Sequence, residues 1–362
     1  MSKLKSETAC KGGFFVLKLR SSMSFKTKQA LLLIFSFLLG LAIFVWLGGV
    51  IGWKEVLNIF SAFTGWQGLV IIGLSFLIAV IGNWRWKEIL KESQIEVPFY
   101  QLFKIYLGGY AMMYLFPILL WGGEAFRVYG LGKEKNLSWK KTFSSVIVER
   151  ILEWTANVVV IFLGLGFFLY KVYLPPKELV MIFGIALIFF ISVLSYFYIK
   201  ALGKKSIVRE IIKKFFKKEV SDNNGMIAVE NDVFNFFQFQ NKSFKKGFVL
   251  SILRALVMQA RGWILIFFLG NWIGFFPSLA ILGFTYLSSM IPIPASLGAH
   301  EAVQFYAFTS LGLAASTATA FTMIIRAGEI VVSSVGLIFL IKTGFNLLGN
   351  KIINYDKSQQ DS

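Results

Sequence analysis

Two short motifs place charge inside apolar sequence at matching positions. The stretch "VERILEW" holds Arg150 and Glu153, and "IIRAGEI" holds Arg326 and Glu329. Residues three apart share one helix face, so each pair can close on itself. The step from Arg150 to Arg326 sets a repeat interval, and a second match recurs at nearly the same interval. "PILLWGGEAF" from Pro117 and "PASLGAHEAV" from Pro294 both read P-x6-E-A. They bring Gly123, Glu124 and Arg127 to one place, and Gly298, His300 and Glu301 to the other. Arg254 and Arg261, two helical turns apart, share a face of a further apolar segment. A planar guanidinium donates in parallel to two oxygens and so suits a phosphate, while nearby glutamates can hold it when no phosphate is there. A proline break adds backbone chemistry: the half-helix that starts after it turns unpaired N–H groups and partial positive charge inward. His300, the one histidine, titrates near neutral pH when unperturbed.

The sequence around these residues is that of a membrane protein. Of its 362 residues 56% are hydrophobic, with a mean hydropathy of +0.68. Residues 30–50 carry no charge, over about the 20 residues a bilayer core requires. Similar runs lie near 66–82, 143–170, 179–199, 247–270 and 317–341. Cys10 is the only cysteine, and aspartate occurs only at 222, 232, 356 and 361. Neither a disulfide framework nor a metal centre is expected, and no cofactor is assigned. The net charge of +18 sits beside the apolar runs rather than in a soluble domain, so it reads as orientation by the positive-inside rule and not as a nucleic-acid surface. Lipid bilayers exclude unpaired charge at a cost of roughly 2.5–3.5 kcal/mol per residue even on the lenient insertion scale, so the buried charges belong in the interior of the bundle.

Alternating every run across the membrane would put Lys133, Lys135, Lys140 and Lys141 outside. Making 101–130 and 278–312 re-entrant hairpins removes that conflict. Irregular backbone is tolerated at such depth where protein buries it or a cavity needs it. The expected fold is therefore an all-α polytopic membrane protein of six full transmembrane helices and two re-entrant helical hairpins, both termini cytoplasmic. Residues 1–29 form a basic tail, 30–342 one membrane domain, and 343–362 a C-terminal tail. Within the domain, one half (30–170) is repeated in inverted orientation by the other (179–342). The segment 200–246 has eleven Lys/Arg against five acidic residues and is expected to be cytoplasmic. In it Ile207, Ile211, Ile212, Phe215 and Phe216 recur at helical spacing, an interfacial helix for anionic inner-leaflet lipids. Residues 227–245 are a candidate for a second one. Inverted repeats with helices broken at the midplane characterise secondary transporters.

The same residues resemble one family. P-x6-E-A-F-R at 117–127, V-E-R at 148–150, P-I-P-A-S-L-G-A-H-E-A at 292–302 and Arg326 are similar to the lysylphosphatidylglycerol synthase transmembrane, or flippase-like domain, family over about 30–345. Ala295-Ser296 stand where many members carry a Gly-Gly pair. The resemblance implies an integral membrane protein that handles lipid headgroups, here the membrane part without an aminoacyltransferase domain, hence not an enzyme. The reading that follows is a flippase or headgroup transporter in the cell membrane, moving an anionic phospholipid or lipid-linked precursor between leaflets. Arg150, Glu153, Arg326, Glu329, Arg261 and Arg254 are its headgroup site, with the hairpin tips contributing. The sequence carries no G-x-x-x-x-G-K-[ST], so ATP hydrolysis by this chain is not expected. Two other readings stay open: a membrane-embedded transferase using Glu124 or Glu301 as a general base, and a non-transporting partner of a lipid-modifying enzyme docked on 200–246.

Overall fold

The computed structural model of the protein describes residues 65–115, 122–135, 137–171, 177–216, 224–238, 241–289 and 299–360. Pro117, Pro294, Gly298 and the apolar run 30–50 lie outside them. Among the described residues there are eleven helices and no strand. They are α1 (Trp66–Glu92), α2 (Phe99–Leu115), α3 (Gly122–Lys135), α4 (Trp139–Lys171), α5 (Lys177–Leu202), α6 (Ile207–Phe216), α7 (Gly225–Phe236), α8 (Lys242–Phe268), α9 (Phe275–Ser289), α10 (Ala299–Ser310) and α11 (Ala315–Gln360).

Among the described residues four helices are long and apolar enough to cross a membrane: α1, α4, α8 and the Ala315–Lys342 part of α11. They coincide with four of the six apolar runs. The fifth candidate comes from the run at 179–199: residues Leu187–Leu202 of α5 and Ile207–Phe215 of α6 qualify as a pair, bent by 111° where they meet. The protein is thus an all-helical, multi-pass membrane protein. With 17 and 15 residues, α2 and α9 fall short of the ~20 needed for a bilayer core.

The helices start at a constant interval. Trp66, Phe99 and Trp139 open α1, α2 and α4, while Lys242, Phe275 and Ala315 open α8, α9 and α11. Each of the second three follows its counterpart by the step that separates Arg150 from Arg326. Helices α1 and α8 have 27 residues each and end in the same hydrogen-bond pattern. Gln94 N–H donates to Lys91 O and Ile95 N–H to Leu90 O; Gly270 N–H donates to Phe267 O and Asn271 N–H to Ile266 O. This Schellman closure needs a left-handed residue, which Gln94 (φ 57°) and Gly270 (φ 80°) supply.

Packing follows the same interval. Helix α1 lies along α8, α2 along α11, and α9 along α4. Two glycines permit the last two crossings. A Cβ on Gly164 of α4 would stand 2.6 Å from the carbonyl oxygen of Leu279, and one on Gly336 of α11 would collide with that of Leu107. Small residues at such points let helix backbones touch, the main source of association where lipid removes the hydrophobic drive.

The segment between α5 and α8 divides in two. On α6, Ile211 and Phe215 are exposed while Lys213 and Lys214 lie among them in sequence, an amphipathic helix. Glu230 fixes its start by accepting from Ile207 N–H at 2.6 Å and Val208 N–H at 3.0 Å, and Lys200 holds the Glu210 carboxyl below the usual carboxylate range by hydrogen bonding. Helix α7 differs from the interfacial helix expected over 227–245. Its Val229, Val233 and Phe236 are buried, with Phe237, against Leu152 of α4 and Leu194 of α5, and the Phe237 ring meets that of Phe197 at 5.2 Å. Aromatic contacts on that face outweigh the surface that amphipathic spacing alone suggests.

Candidate functional site

Four helices bring charge to one buried place. Helix α4 supplies Glu149, Arg150 and Glu153, α1 supplies Arg85, α3 supplies Glu124 and Arg127, and α8 supplies Arg254. Glu149, 1% exposed, is held between two guanidinium groups: Arg85 Nη2 at 2.5 Å on Oε1 and Arg127 Nη1 at 2.5 Å on Oε2. Glu153 accepts from Arg254 Nη1 at 2.8 Å and Arg150 Nη1 at 3.1 Å, with Arg85 Nη2 at 3.4 Å. Glu124 pairs with Arg150. Every carboxylate of the cluster therefore has a cation, as burial in low dielectric demands.

Aromatic and small residues shape the rest. Arg127 lies over the rings of Trp86 and Tyr106, at 4.1 and 4.8 Å from their centres, a second compensation for its lost water. Gly123 faces the backbone of Gly109 so closely that a Cβ there would collide with the Gly109 carbonyl. That contact is what lets α3 carry Glu124 and Arg127 down beside α2. Arg150 Nη2 also reaches Met113 Sδ at 3.3 Å.

The cluster holds one more arginine than carboxylate. Arg85, Arg127, Arg150 and Arg254 face Glu124, Glu149 and Glu153, and the Nε atoms of all four arginines are buried without a hydrogen-bond acceptor among the described residues, as is Arg127 Nη2. The space among them, bordered by Tyr106, Tyr110, Met113 and Gly123, is about 30 Å³. That admits a water or two and no headgroup, and around it donors and positive charge are in excess among the described residues.

The remaining sequence candidates fall elsewhere. Arg261 on α8 donates to Ser75 Oγ at 3.0 Å and faces Glu329 of α11 at 3.6 Å. Arg326 sits one turn before Glu329 and does not border the cavity beside Arg150. The Arg150/Glu153 pair is joined directly at 3.1 Å, and Glu329 is met from α8 by Arg261 at 3.6 Å. His300, on the first turn of α10, shares a hydrogen bond with Ser288 Oγ at 2.7 Å, beside a Gln304–Thr285 bond of 2.6 Å. Glu301 belongs to the same turn, its side chain outside the described residues.

Sequence reasoning missed Arg85, at 1% exposure among the most buried side chains, and the central place of Glu149. A signal for Arg85 was present. Leu74-Ser75-x-Leu77-x-Ala79 leads to Arg85, and Leu250-Ser251-x-Leu253-x-Ala255 leads to Arg261, again at the repeat interval. In space the two segments are reciprocal. Arg85 Nη1 donates to Ser251 Oγ at 3.2 Å, as Arg261 does to Ser75, so α1 and α8 cross antiparallel through equivalent residues. Ser75 and Ser251 each also donate to the carbonyl one turn back, of Ile71 and Gly247, both at 2.9 Å.

Comparison with known proteins places the chain. The family described as the lysylphosphatidylglycerol synthase TM region matches residues 34–336. A UPF0104 membrane protein of Methanocaldococcus jannaschii is 26% identical over 310 residues, 83% of this chain and 90% of that one. Another, of Pyrococcus horikoshii, is 28% identical over 258 residues, 67% of this chain and 76% of that one. No solved structure matches.

Proposed function

This chain belongs to the lysylphosphatidylglycerol synthase transmembrane family, membrane proteins of lipid metabolism, and we propose that it is a lipid flippase or headgroup transporter without catalytic activity of its own. It carries an anionic phospholipid or lipid-linked precursor between leaflets of the cell membrane. One observation carries the reading: the buried cluster on α1, α3, α4 and α8 has one positive charge more than its carboxylates cancel, and unpartnered guanidinium N–H groups around it. An arginine with an open N–H edge donates to a pair of phosphate oxygens without rearranging its own carbons.

The depth suits transfer. Glu149 and Glu153 lie about 15 and 21 Å along α4 from Trp139, against a half-bilayer of about 15 Å. The regular interval between helix starts and the reciprocal Ser–Arg contacts support two inverted halves, each two spans, a re-entrant hairpin and a third span. In such architectures the site stays near the midplane while the halves rock. A headgroup entering from the inner leaflet displaces Glu124 from Arg150, since Glu124 has one arginine where Glu149 and Glu153 have two or more. Its acyl chains remain in lipid. Helix α6, with exposed Ile211 and Phe215 and a cavity of about 540 Å³ bordered by Lys204 and Lys213, lies on the cytoplasmic surface and concentrates anionic lipid there.

Native mass spectrometry of the purified protein tests the site. One anionic lipid class should be enriched on the wild type and reduced about tenfold in Arg150→Gln, the loss of a charged hydrogen bond. Arg150→Lys, which keeps the charge without the fork, should fall between them. Equal lipid retention by all three would mean that the arginines only brace the helices.

A further inference from the structure

The repeat leaves part of the cluster without charged equivalents. At the repeat interval Arg85, Arg150 and Glu153 correspond to Arg261, Arg326 and Glu329, but Arg254 corresponds to Ile78. Glu149 and Arg127 also lack charged equivalents. Ile325 holds the position matching Glu149, and Gln304 the one matching Arg127 at the slightly longer interval from Pro117 to Pro294. Glu149 and Arg127 neutralise each other at 2.5 Å. The excess charge of the cluster is therefore that of Arg254.

Its position is as singular as its charge. The reciprocal contacts Ser75–Arg261 and Arg85–Ser251 put the crossing point of α1 and α8 midway between them, at Val80 opposite Leu256. Val80 and Leu256 are themselves one repeat interval apart, so the axis relating the halves passes there. Arg254 is two positions, or ~3 Å, from that axis. A side chain on the axis keeps its depth when the halves exchange conformations, whereas one far from it does not. In the structure Arg254 Nη1 donates to Glu153 at 2.8 Å. Exchange of the two conformations gives Glu329 the place relative to α1 that Glu153 has here relative to α8, beside Ile78. Ile78 offers no charge. Arg254 lies on the other side of the crossing, ~6 Å along it, within the span of an arginine side chain.

We propose that Arg254 is the cation shared by both faces of the transport cycle: it rests on Glu153 in this conformation, on Glu329 in the opposite one, and carries the anionic headgroup between them. This rests on the inverted-halves reading above. It makes Glu153 and Glu329 alternating counter-ions that stabilise opposite states.

The test uses the full chain in liposomes, with Cys10→Ser and Met113→Cys as a reporter at the edge of the cavity, labelled by a thiol-reactive dye without added substrate. Glu153→Gln and Glu329→Gln should shift the labelling rate in opposite directions, each by about fivefold, the lower end of ordinary coupling. Both shifts should disappear in an Arg254→Gln background that stays monodisperse in detergent, and persist with Arg254→Lys, which keeps the charge. An unchanged rate in Glu329→Gln, or shifts that survive Arg254→Gln, would overturn the proposal. Lipid movement measured in the same vesicles separates the two claims. Opposite shifts without lipid movement uphold the exchange of partners and sink the transport reading; lipid movement with shifts that survive Arg254→Gln does the reverse.

Discussion

Glutamine in place of Glu149 should cost the protein about 3–5 kcal/mol, the consequence of stranding a buried charge, and more if both of its arginines stay buried. Arg85 and Arg127 each sit 2.5 Å from one of its oxygens, and all three side chains are nearly inaccessible. A neutral amide can accept from one guanidinium but cancels the charge of neither. The measurement is thermal unfolding in detergent, with monodispersity as a second readout. The other half of the chain indicates the remedy. Its equivalents are Ile325 and Gln304, so Glu149→Ile combined with Arg127→Gln removes one charge of each sign together. Arg85 then keeps Glu153 at 3.4 Å, much as Arg261 keeps Glu329 at 3.6 Å. The double variant should be more stable than Glu149→Gln alone. A loss under about 1 kcal/mol for the single variant, as for an exposed ion pair, would show that water reaches the cluster and that the pairing is loose.

The second large effect is steric. Alanine at Gly164 or Gly336 should each destabilise by about 1–3 kcal/mol, because the added Cβ meets a backbone carbonyl, of Leu279 or of Leu107, rather than a side chain that can turn away. The α4–α9 and α2–α11 crossings would have to widen, and the two substitutions together should abolish a monodisperse protein. Gly166→Ala is the control, since a Cβ there meets nothing within 4 Å. It should be neutral or gain up to ~1 kcal/mol from helix propensity. Equal losses at all three positions would point to a general effect of side-chain volume on α4 and α11 and not to close crossings.

Much of this architecture is legible in the chain. The spacing of Arg150 and Glu153 sets them on one face, and they are joined in the structure at 3.1 Å. The apolar runs that form α1, α4, α8 and α11 are long enough to declare themselves. The sequence does not announce the partners contributed by other helices. Glu329 shares a face with Arg326 one turn away in the sequence, and Arg261 also reaches it from α8; local spacing is blind to the helix that packs alongside. Arg85 escapes notice because it lies near the polar end of α1, where Lys87, Glu88 and Lys91 make it look like part of an interfacial charge run. Its burial comes from α4 and α8 closing over it, and the recurring Leu-Ser-x-Leu-x-Ala ahead of it is the available clue. Helix α7 misleads for a related reason. Its phenylalanines have the spacing of a membrane-facing stripe, and Leu194 and Phe197 of α5 cover that stripe instead.

Movement of lipid between leaflets is the claim on which the rest depends. A fluorescent analogue of whichever anionic lipid copurifies with the protein, placed in one leaflet of liposomes containing the wild type or Arg150→Gln, measures it directly. The wild type should transfer the lipid faster than protein-free vesicles do, and Arg150→Gln, folded and inserted to the same extent, should fall to the protein-free rate. Equal rates for wild type and variant, whether both fast or both at background, would contradict a transport path through the Arg150 cluster.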